Sequence, residues 1–283
     1  MADLTIINVD DEDYPHLPDL ESVCVPFGIP ISRSDFQDIL MPHKGLNGAI
    51  MDAAFACLIH TYIVEAPRGD SICLAFTCSF LIRMEILRRR NPSSISHATI
   101  CSFTSSATLP RMAFSSQLEQ AQIGNISLAF FPVIVDSDHW ALLVFCFHRN
   151  TCFYFDERVN RDIALQPARG AFLAITLFFK ELWNVKAENW AFVDVVPPLP
   201  HEDVWGSHVH CVRSCGVNVL QVVHHLLRKL RIILDPTSLE MAYPPTCLCA
   251  SYRNVLDEML RNAAVPAAYV GLNLMSMDIL IDV

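Results

Sequence analysis

Apolar residues recur along this chain with the spacing of helices in some segments and of strands in others. Spacings of three and four residues indicate helices, because such residues share one helical face. Four segments have this pattern: 47–64, 170–183, 215–233 and 251–263. A fifth apolar segment, 71–87, is also predicted as a helix, because the three arginines that follow it favour a helix C-terminus.

Runs rich in valine, isoleucine and phenylalanine indicate strands instead. Such runs lie at 126–135 and 190–196, and two further runs joined by a polar break predict a hairpin over 138–157. Helices and strands alternate without an internal repeat or a second shift of composition. The pattern therefore predicts one α+β domain over 23–283.

The first 22 residues differ from the rest of the chain. They are acidic and interrupted by two prolines, so 1–22 is predicted to be a flexible tail. Within it, Ile6, Ile7 and Val9 form a short β-prone stretch, and four acids follow at once over 10–13. One interpretation of this stretch is the first strand of the domain with a solvated acidic loop after it.

Composition and charge narrow the classes of function. Of the 283 residues, 52% are hydrophobic and 18% are charged, so we expect a buried core rather than disorder. The net charge of −10 repels phosphate backbones, which argues against a nucleic-acid partner and favours a basic one. No apolar run reaches the roughly 18 to 20 residues that a membrane span needs, so no membrane partner is predicted.

The cysteines and histidines indicate free thiols rather than disulfides or a metal centre. Eleven cysteines lie scattered in apolar contexts, and no secretory leader is visible, so we expect a reducing compartment, cytoplasmic or nuclear. Zinc-ligand residue types occur at His208, His210, Cys211 and Cys215, but their spacing is cramped and no second CxxC or HxxxH pair supports a site, although Cys247 and Cys249 could complete one. No metal and no other cofactor is predicted.

The predicted hairpin carries chemistry at its open end. His139 begins the first strand and Asp156 follows the second. Because neighbouring strands lie roughly 4.8 Å apart, we expect these two side chains to be close. A carboxylate bound to one imidazole nitrogen fixes the tautomer of the ring and stabilises the imidazolium, as in a catalytic triad.

A nucleophile for this pair is available at the start of a predicted helix. Cys215 stands where a loop becomes helix, followed by Gly216, which leaves room for another backbone to approach closely. A thiol at a helix N-terminus and near an imidazolium reacts as the thiolate. The residues therefore predict a site formed by His139, Asp156 and Cys215.

These motifs resemble those of the ubiquitin-like-protein proteases, the SUMO (sentrin) proteases of clan CE and family C48. The resemblance rests on "HW" before a strand, "YFDE" closing the next and "SCGVNVL" beginning a helix, in that order. The upstream "ISRSDFQDILMPHKGLNGAIMDAAF" is similar to the short helix, Leu-Asn pair and long helix of the family. The resemblance covers most of 30–230.

The resemblance implies a fold and a reaction. The fold is the papain-like cysteine protease fold of SUMO proteases, a central mixed sheet flanked by helices with the nucleophile at a helix N-terminus. Cys215 resembles the nucleophile, His139 the general base and Asp156 the acid that orients it. Trp140 resembles an aromatic lid over the Gly-Gly tail of the substrate. The implied protein is a monomeric cysteine isopeptidase that cleaves after the Gly-Gly of SUMO or a related modifier.

The chain departs from the family pattern beside the site. Gly45 stands where the family has a second tryptophan, Gly48 where it has an acid, and Ser214 where it has an aspartate. Val209 replaces the glutamine that serves as oxyanion donor, and loss of such a donor typically costs about 10²–10³ in kcat. His210 is the favoured substitute.

His208 and Ser207 are the other candidates for this role, with the main-chain N–H of Cys215 as the second donor. Beside such a site, Ile6, Ile7 and Val9 resemble a SUMO-interacting motif, which adds a strand to the edge of a partner's sheet. Three alternatives remain: a SUMO-binding module that has lost the chemistry, a protease for ubiquitin or another modifier, and an acyltransferase of the Yop type.

Overall fold

A computed structural model gives the fold of the chain. It describes residues 29–41, 44–65, 72–90, 103, 108–109, 126–135, 139–157, 162–196, 214–232, 236–244 and 249–263. The tail over 1–22, its motif at Ile6, Ile7 and Val9, and the oxyanion candidate His210 lie outside the described residues.

The described residues contain six helices and six strands. The helices are α1 Arg33–Leu40, α2 Gly48–Glu65, α3 Phe80–Arg90, α4 Asp162–Trp183, α5 Cys215–Ile232 and α6 Cys249–Ala263. The strands are β1 Ile72–Phe76, β2 Thr108–Leu109, β3 Ile126–Ile134, β4 Trp140–Cys146, β5 Thr151–Phe155 and β6 Ala191–Val195. Short 3₁₀ turns lie at Phe147–Arg149, Ala187–Asn189 and Pro236–Ser238.

The strands form one mixed sheet in the order β2-β1-β3-β4-β5-β6. The central pairs β3–β4 and β4–β5 are antiparallel, whereas β1–β3 and β5–β6 are parallel. Every residue of β4 is buried, and all of β3 except Ile134. Strands buried along both faces require helices on both sides of the sheet.

The helices form two layers over this sheet. In β4, Leu142 and Val144 pack into a core with α1, α2, α5 and α6. Their neighbours Leu143 and Phe145 point to the opposite face and pack with α3 and α4 in a core rich in phenylalanine. Alternate residues of a strand face opposite sides, so β4 serves both cores. The predicted α+β class with a central mixed sheet is confirmed.

The prediction of a helix over 71–87 is wrong for its first part. Residues 72–76 form β1, a turn follows, and the helix begins only at Phe80. The side chain of Asp52 accepts a hydrogen bond from the Cys78 N–H at 2.7 Å, which ties this turn to α2. A short apolar run fits a buried strand and a buried helix equally well, so periodicity does not separate the two.

Helix α4 begins earlier than the predicted 170–183 segment. Its first turns contain Pro167 and Gly170, residues that disfavour a helix interior. The sequence pattern therefore does not indicate a helix over these turns. No helix within the described ranges is long and apolar enough to cross a membrane.

Candidate active site

The hairpin β4–β5 brings His139 and Asp156 together. Its register pairs Leu142 with Phe155. When the same pairing is continued past the ends of the two strands, positions 139 and 156 become diagonal neighbours on one face of the hairpin. Long side chains at such positions are close enough to touch. The Nε2 atom of His139 lies 2.8 Å from Oδ1 of Asp156.

The carboxylate of Asp156 is held on both oxygens. Its side chain is fully buried, and Oδ2 accepts a hydrogen bond of 2.6 Å from the hydroxyl of Tyr154. Tyr154 is two positions earlier on the same strand face and is itself fully buried. A buried carboxylate without partners carries a large desolvation cost, and these two hydrogen bonds offset it.

Cys215 joins this pair from the other layer. It is the first residue of α5, which packs against β4 and α2. Its sulfur is hydrogen-bonded to the side chain of His139 and accepts a hydrogen bond of 3.4 Å from the main-chain N–H of Trp140. Because Nε2 of His139 faces the carboxylate, Nδ1 is the ring nitrogen available to the thiol. The three predicted side chains therefore meet at one point.

The surroundings of His139 favour its charged form. Burial lowers the pKa of His139, but hydrogen bonds to Asp156 and Cys215 and the charges of both groups raise it more, to about 9 from 6.5. The ring is therefore an imidazolium at neutral pH.

Trp140 lies beside the Cys215 sulfur and is itself held by a hydrogen bond. It is buried, and its indole N–H donates a hydrogen bond of 2.8 Å to the carbonyl of Leu46. Its ring lies over Gly216, where an added Cβ would be 3.2 Å from Trp140 Cδ1. Trp140 also lines a cavity with Cys215. The role of Trp140 as a lid over a substrate tail stays a prediction. The other lining residues are Phe155, Glu157, Asn218, Val219, Val222 and Tyr243.

Gly216 is required by side chains rather than by another backbone. A Cβ on this residue would lie 3.1 Å from Leu46 Cβ and 3.2 Å from Met51 Sδ, in addition to its contact with the Trp140 ring. These distances are shorter than ordinary van der Waals contacts. The close approach is therefore made by side chains and not, as the sequence had predicted, by another backbone, and it packs α5 against the segment 44–47 that precedes α2.

Comparisons with known proteins address the fold. No protein-family model and no curated protein matches the chain. Solved structures do match it. The SUMO protease Ulp1, with its catalytic cysteine oxidised to a sulfenic acid, matches with 15% sequence identity and a TM-score of 0.53, covering 82% of this chain and 84% of that one.

Two further solved structures agree. The C-terminal Ulp1 protease domain in complex with Smt3, the yeast ortholog of SUMO, matches with 16% identity and a TM-score of 0.52 over 86% of this chain and 87% of that one. The Ulp1-like SUMO protease catalytic domain of Chaetomium thermophilum matches with 20% identity and a TM-score of 0.51 over 87% and 84%. This chain has the SUMO-protease fold.

Within the SUMO-protease fold, two residues that sequence reasoning missed support the site. Tyr154 belongs to the motif that closes β5, and its position two residues before Asp156 on one strand face is the sequence signal for this contact. Arg253 of α6 is buried and donates to the carbonyls of Asp38, Ile39 and Lys44. An arginine in an amphipathic helix normally indicates a solvated face, so the sequence carried no signal for it.

The described residues also bear on metal binding. Among them, no three histidine, cysteine, aspartate or glutamate side chains are grouped so as to hold a metal ion. The zinc alternative depended on His208, His210 and Cys211, which lie outside the described ranges. Cys215 is instead engaged with His139 and Trp140.

Proposed function

We propose that this protein is a cysteine isopeptidase that cleaves after the C-terminal Gly-Gly of SUMO or a related ubiquitin-like modifier. The observation that carries the proposal is the meeting of Cys215, His139 and Asp156 at the end of the hairpin. A buried carboxylate, an imidazolium and a thiol in contact are the parts of a nucleophilic triad. The SUMO-protease fold supports the substrate class.

In the first step, the Cys215 sulfur attacks the carbonyl carbon of the terminal glycine. A C–S bond forms, the C–N bond to the lysine amine breaks, and His139 gives its proton to the leaving amine. The main-chain N–H of Cys215 is placed at a helix N-terminus, where N–H groups lack intrahelical acceptors, and donates to the developing oxyanion. His210 is proposed as the second donor.

In the second step, water hydrolyses the thioester. His139 takes a proton from the water molecule, and the water oxygen attacks the same carbonyl carbon. The C–S bond then breaks and releases the modifier with a free carboxylate. Asp156 stays ionised through both steps and holds the ring in one orientation. The acidic tail, with Ile6, Ile7 and Val9, is proposed to bind the modifier at a separate surface.

A second candidate function is a SUMO-binding module that does not cleave. Cys215 is only 5% exposed, and the exposed Gly45 offers no aromatic wall where the resembled family has a tryptophan. Both features favour a site that is closed or weakened. This candidate and the protease differ in covalent chemistry, which a reactive substrate analogue detects.

The test uses SUMO, ubiquitin and other modifiers that carry a C-terminal propargyl amide. We expect a covalent adduct with wild-type protein and none with Cys215→Ala, because the thiolate is the attacking group. Cys78→Ser, a change at a partly buried thiol other than the proposed nucleophile, is the matched control and should label normally. Binding without an adduct for every modifier would contradict the protease and support the binding module. The modifier that labels fastest identifies the substrate.

A further inference from the structure

We propose that Tyr154 is a positioning residue of the site, which acts through Asp156 to keep the proton of His139 transferable. The hydroxyl of Tyr154 donates to Asp156 Oδ2 at 2.6 Å, while Oδ1 faces His139 Nε2 at 2.8 Å. The carboxylate is therefore fixed from two sides. The kinetic part of this inference rests on the proposed function, whereas the effect on His139 does not.

The ring of Tyr154 is itself fixed. It is fully buried and stacks on Phe192 of β6, with centroids 5.9 Å apart and an angle of 27° between the planes. Its backbone pairs with Asp194 in the parallel register of β5 and β6. Packing of this kind fixes the ring and so holds the phenol oxygen beside the carboxylate of Asp156.

The hydrogen bond from Tyr154 also changes the negative charge that Asp156 presents to His139. A short O–H···O⁻ bond stabilises the carboxylate and draws negative charge toward the phenol. Without it, the full charge of Asp156 would face the imidazolium in an equally buried setting. His139 would then bind its proton more tightly and release it less readily to a leaving amine.

Other charged groups near this pair lie on the elements packed around it. The guanidinium of Arg169 on α4 lies over the ring of Phe192, which stacks on Tyr154, at 5.9 Å from the Phe192 ring centroid. Within the described ranges, the other groups are Asp194 on β6, Glu157 after β5 and Cys215 on α5. None of these is altered by removing the hydroxyl of Tyr154, so a change at His139 reports that hydroxyl.

The direct test is an NMR titration of the His139 ring, assigned by comparison with His139→Gln. In Tyr154→Phe we expect the midpoint to rise by roughly half a pH unit or more, the size expected for loss of one charge-assisted hydrogen bond. Tyr62→Phe is the matched control, since it removes a buried hydroxyl that is bonded to Cys73 instead. An unchanged or lowered midpoint in Tyr154→Phe would overturn the proposal.

A second variant gives the opposite sign. Tyr154→3-fluorotyrosine keeps the ring and makes the hydroxyl a stronger donor, so the His139 midpoint should fall. This variant keeps the hydroxyl in place, and it remains informative if the phenylalanine variant does not fold. A midpoint that fails to fall would count against Tyr154.

The kinetic readout is cleavage of a SUMO reporter. We expect Tyr154→Phe to lower kcat about tenfold with KM nearly unchanged, and to move the alkaline limb of the pH profile upward. A purely structural role would instead lower stability and leave the limb in place, which would overturn the inference. If the wild type cleaves nothing, the proposed function fails, and the NMR titration still decides whether Tyr154 acts on His139.

Discussion

At the scale of single residues, His139 carries the charge on which the site depends. Its pKa is raised because Asp156 and Cys215 both face the ring, although burial alone would lower it. The carboxylate has its own second support in Tyr154. The result is an ion pair between the imidazolium of His139 and the buried carboxylate of Asp156.

This raised pKa predicts a dependence of stability on pH. The folded value is about 9 and the ordinary value is 6.5. The imidazolium should therefore stabilise the fold fully below about pH 6.5, with the contribution lost as pH rises through 9. We expect the difference in free energy of unfolding between wild type and His139→Gln to be larger at pH 6 than at pH 9.5.

Urea unfolding at the two pH values measures this difference. The same experiment in a Cys215→Ala background separates the contribution of Asp156 from that of the thiol. A difference that grows toward pH 9.5 would contradict the assigned charge of His139.

At the scale of elements, the N-terminus of α5 packs closely against its neighbours because Gly216 has no side chain. Gly216 lies under Leu46, Met51 and the Trp140 ring, at distances that leave no room for a methyl group. The same Trp140 donates its main-chain N–H to the sulfur of Cys215. Packing at Gly216 and the environment of the Cys215 sulfur are therefore coupled through one residue, Trp140.

Gly216→Ala tests this coupling. The contacts would cost about 1–3 kcal/mol, which exceeds the helix-propensity gain of about 1 kcal/mol, so we expect a net loss of stability. Probe labelling of Cys215 should also slow, because Trp140 must move. Chemical denaturation and labelling rates are the measurements.

Gly170→Ala is the matched control in α4. It is exposed, and nothing lies within 4 Å of an added Cβ. Here the propensity gain acts alone, so stability should rise by about 0.5–1 kcal/mol with labelling unchanged. Equal effects of the two substitutions would contradict the packing argument.

At the scale of the whole molecule, the last described helix holds the first. Arg253 of α6 donates to Ile39 O and Lys44 O at 2.8 Å, and to Asp38 O at 3.4 Å. Asp38 and Ile39 lie in the last turn of α1, and Lys44 shortly precedes Leu46, whose own carbonyl accepts the hydrogen bond of the Trp140 indole N–H. A cation suits the C-terminal carbonyls of a helix, which lack intrahelical donors.

Arg253→Met should therefore lower the free energy of unfolding by about 2–4 kcal/mol, since three carbonyls lose a charged donor in the interior. Arg89→Met is the control. Its partner Glu85 is on the same exposed helix face, and such a pair contributes at most about 1 kcal/mol. Urea denaturation measures both variants. A small effect at Arg253 would mean that the contacts of α6 with α1 survive without it.

The sequence indicated the hairpin, the helix beginning at Cys215 and the residues of the site. Each depends on information within a few neighbouring positions, such as alternation, a polar break and a loop before an apolar helix. Periodicity failed at 71–87, where burial of β1 between neighbouring strands decided its conformation. It missed the first turns of α4 as well, where the helix tolerates Pro167.

What the sequence determined by itself is therefore local: the periods, the residue types and the order of His139, Asp156 and Cys215. Tertiary structure decided which groups surround them, namely Tyr154 on the carboxylate, Trp140 on the sulfur and Arg253 beneath the segment that holds Trp140. The physical reason is that these hydrogen bonds join residues from separate strands and helices. Their distances are fixed only when the sheet and its two helical layers close around one another.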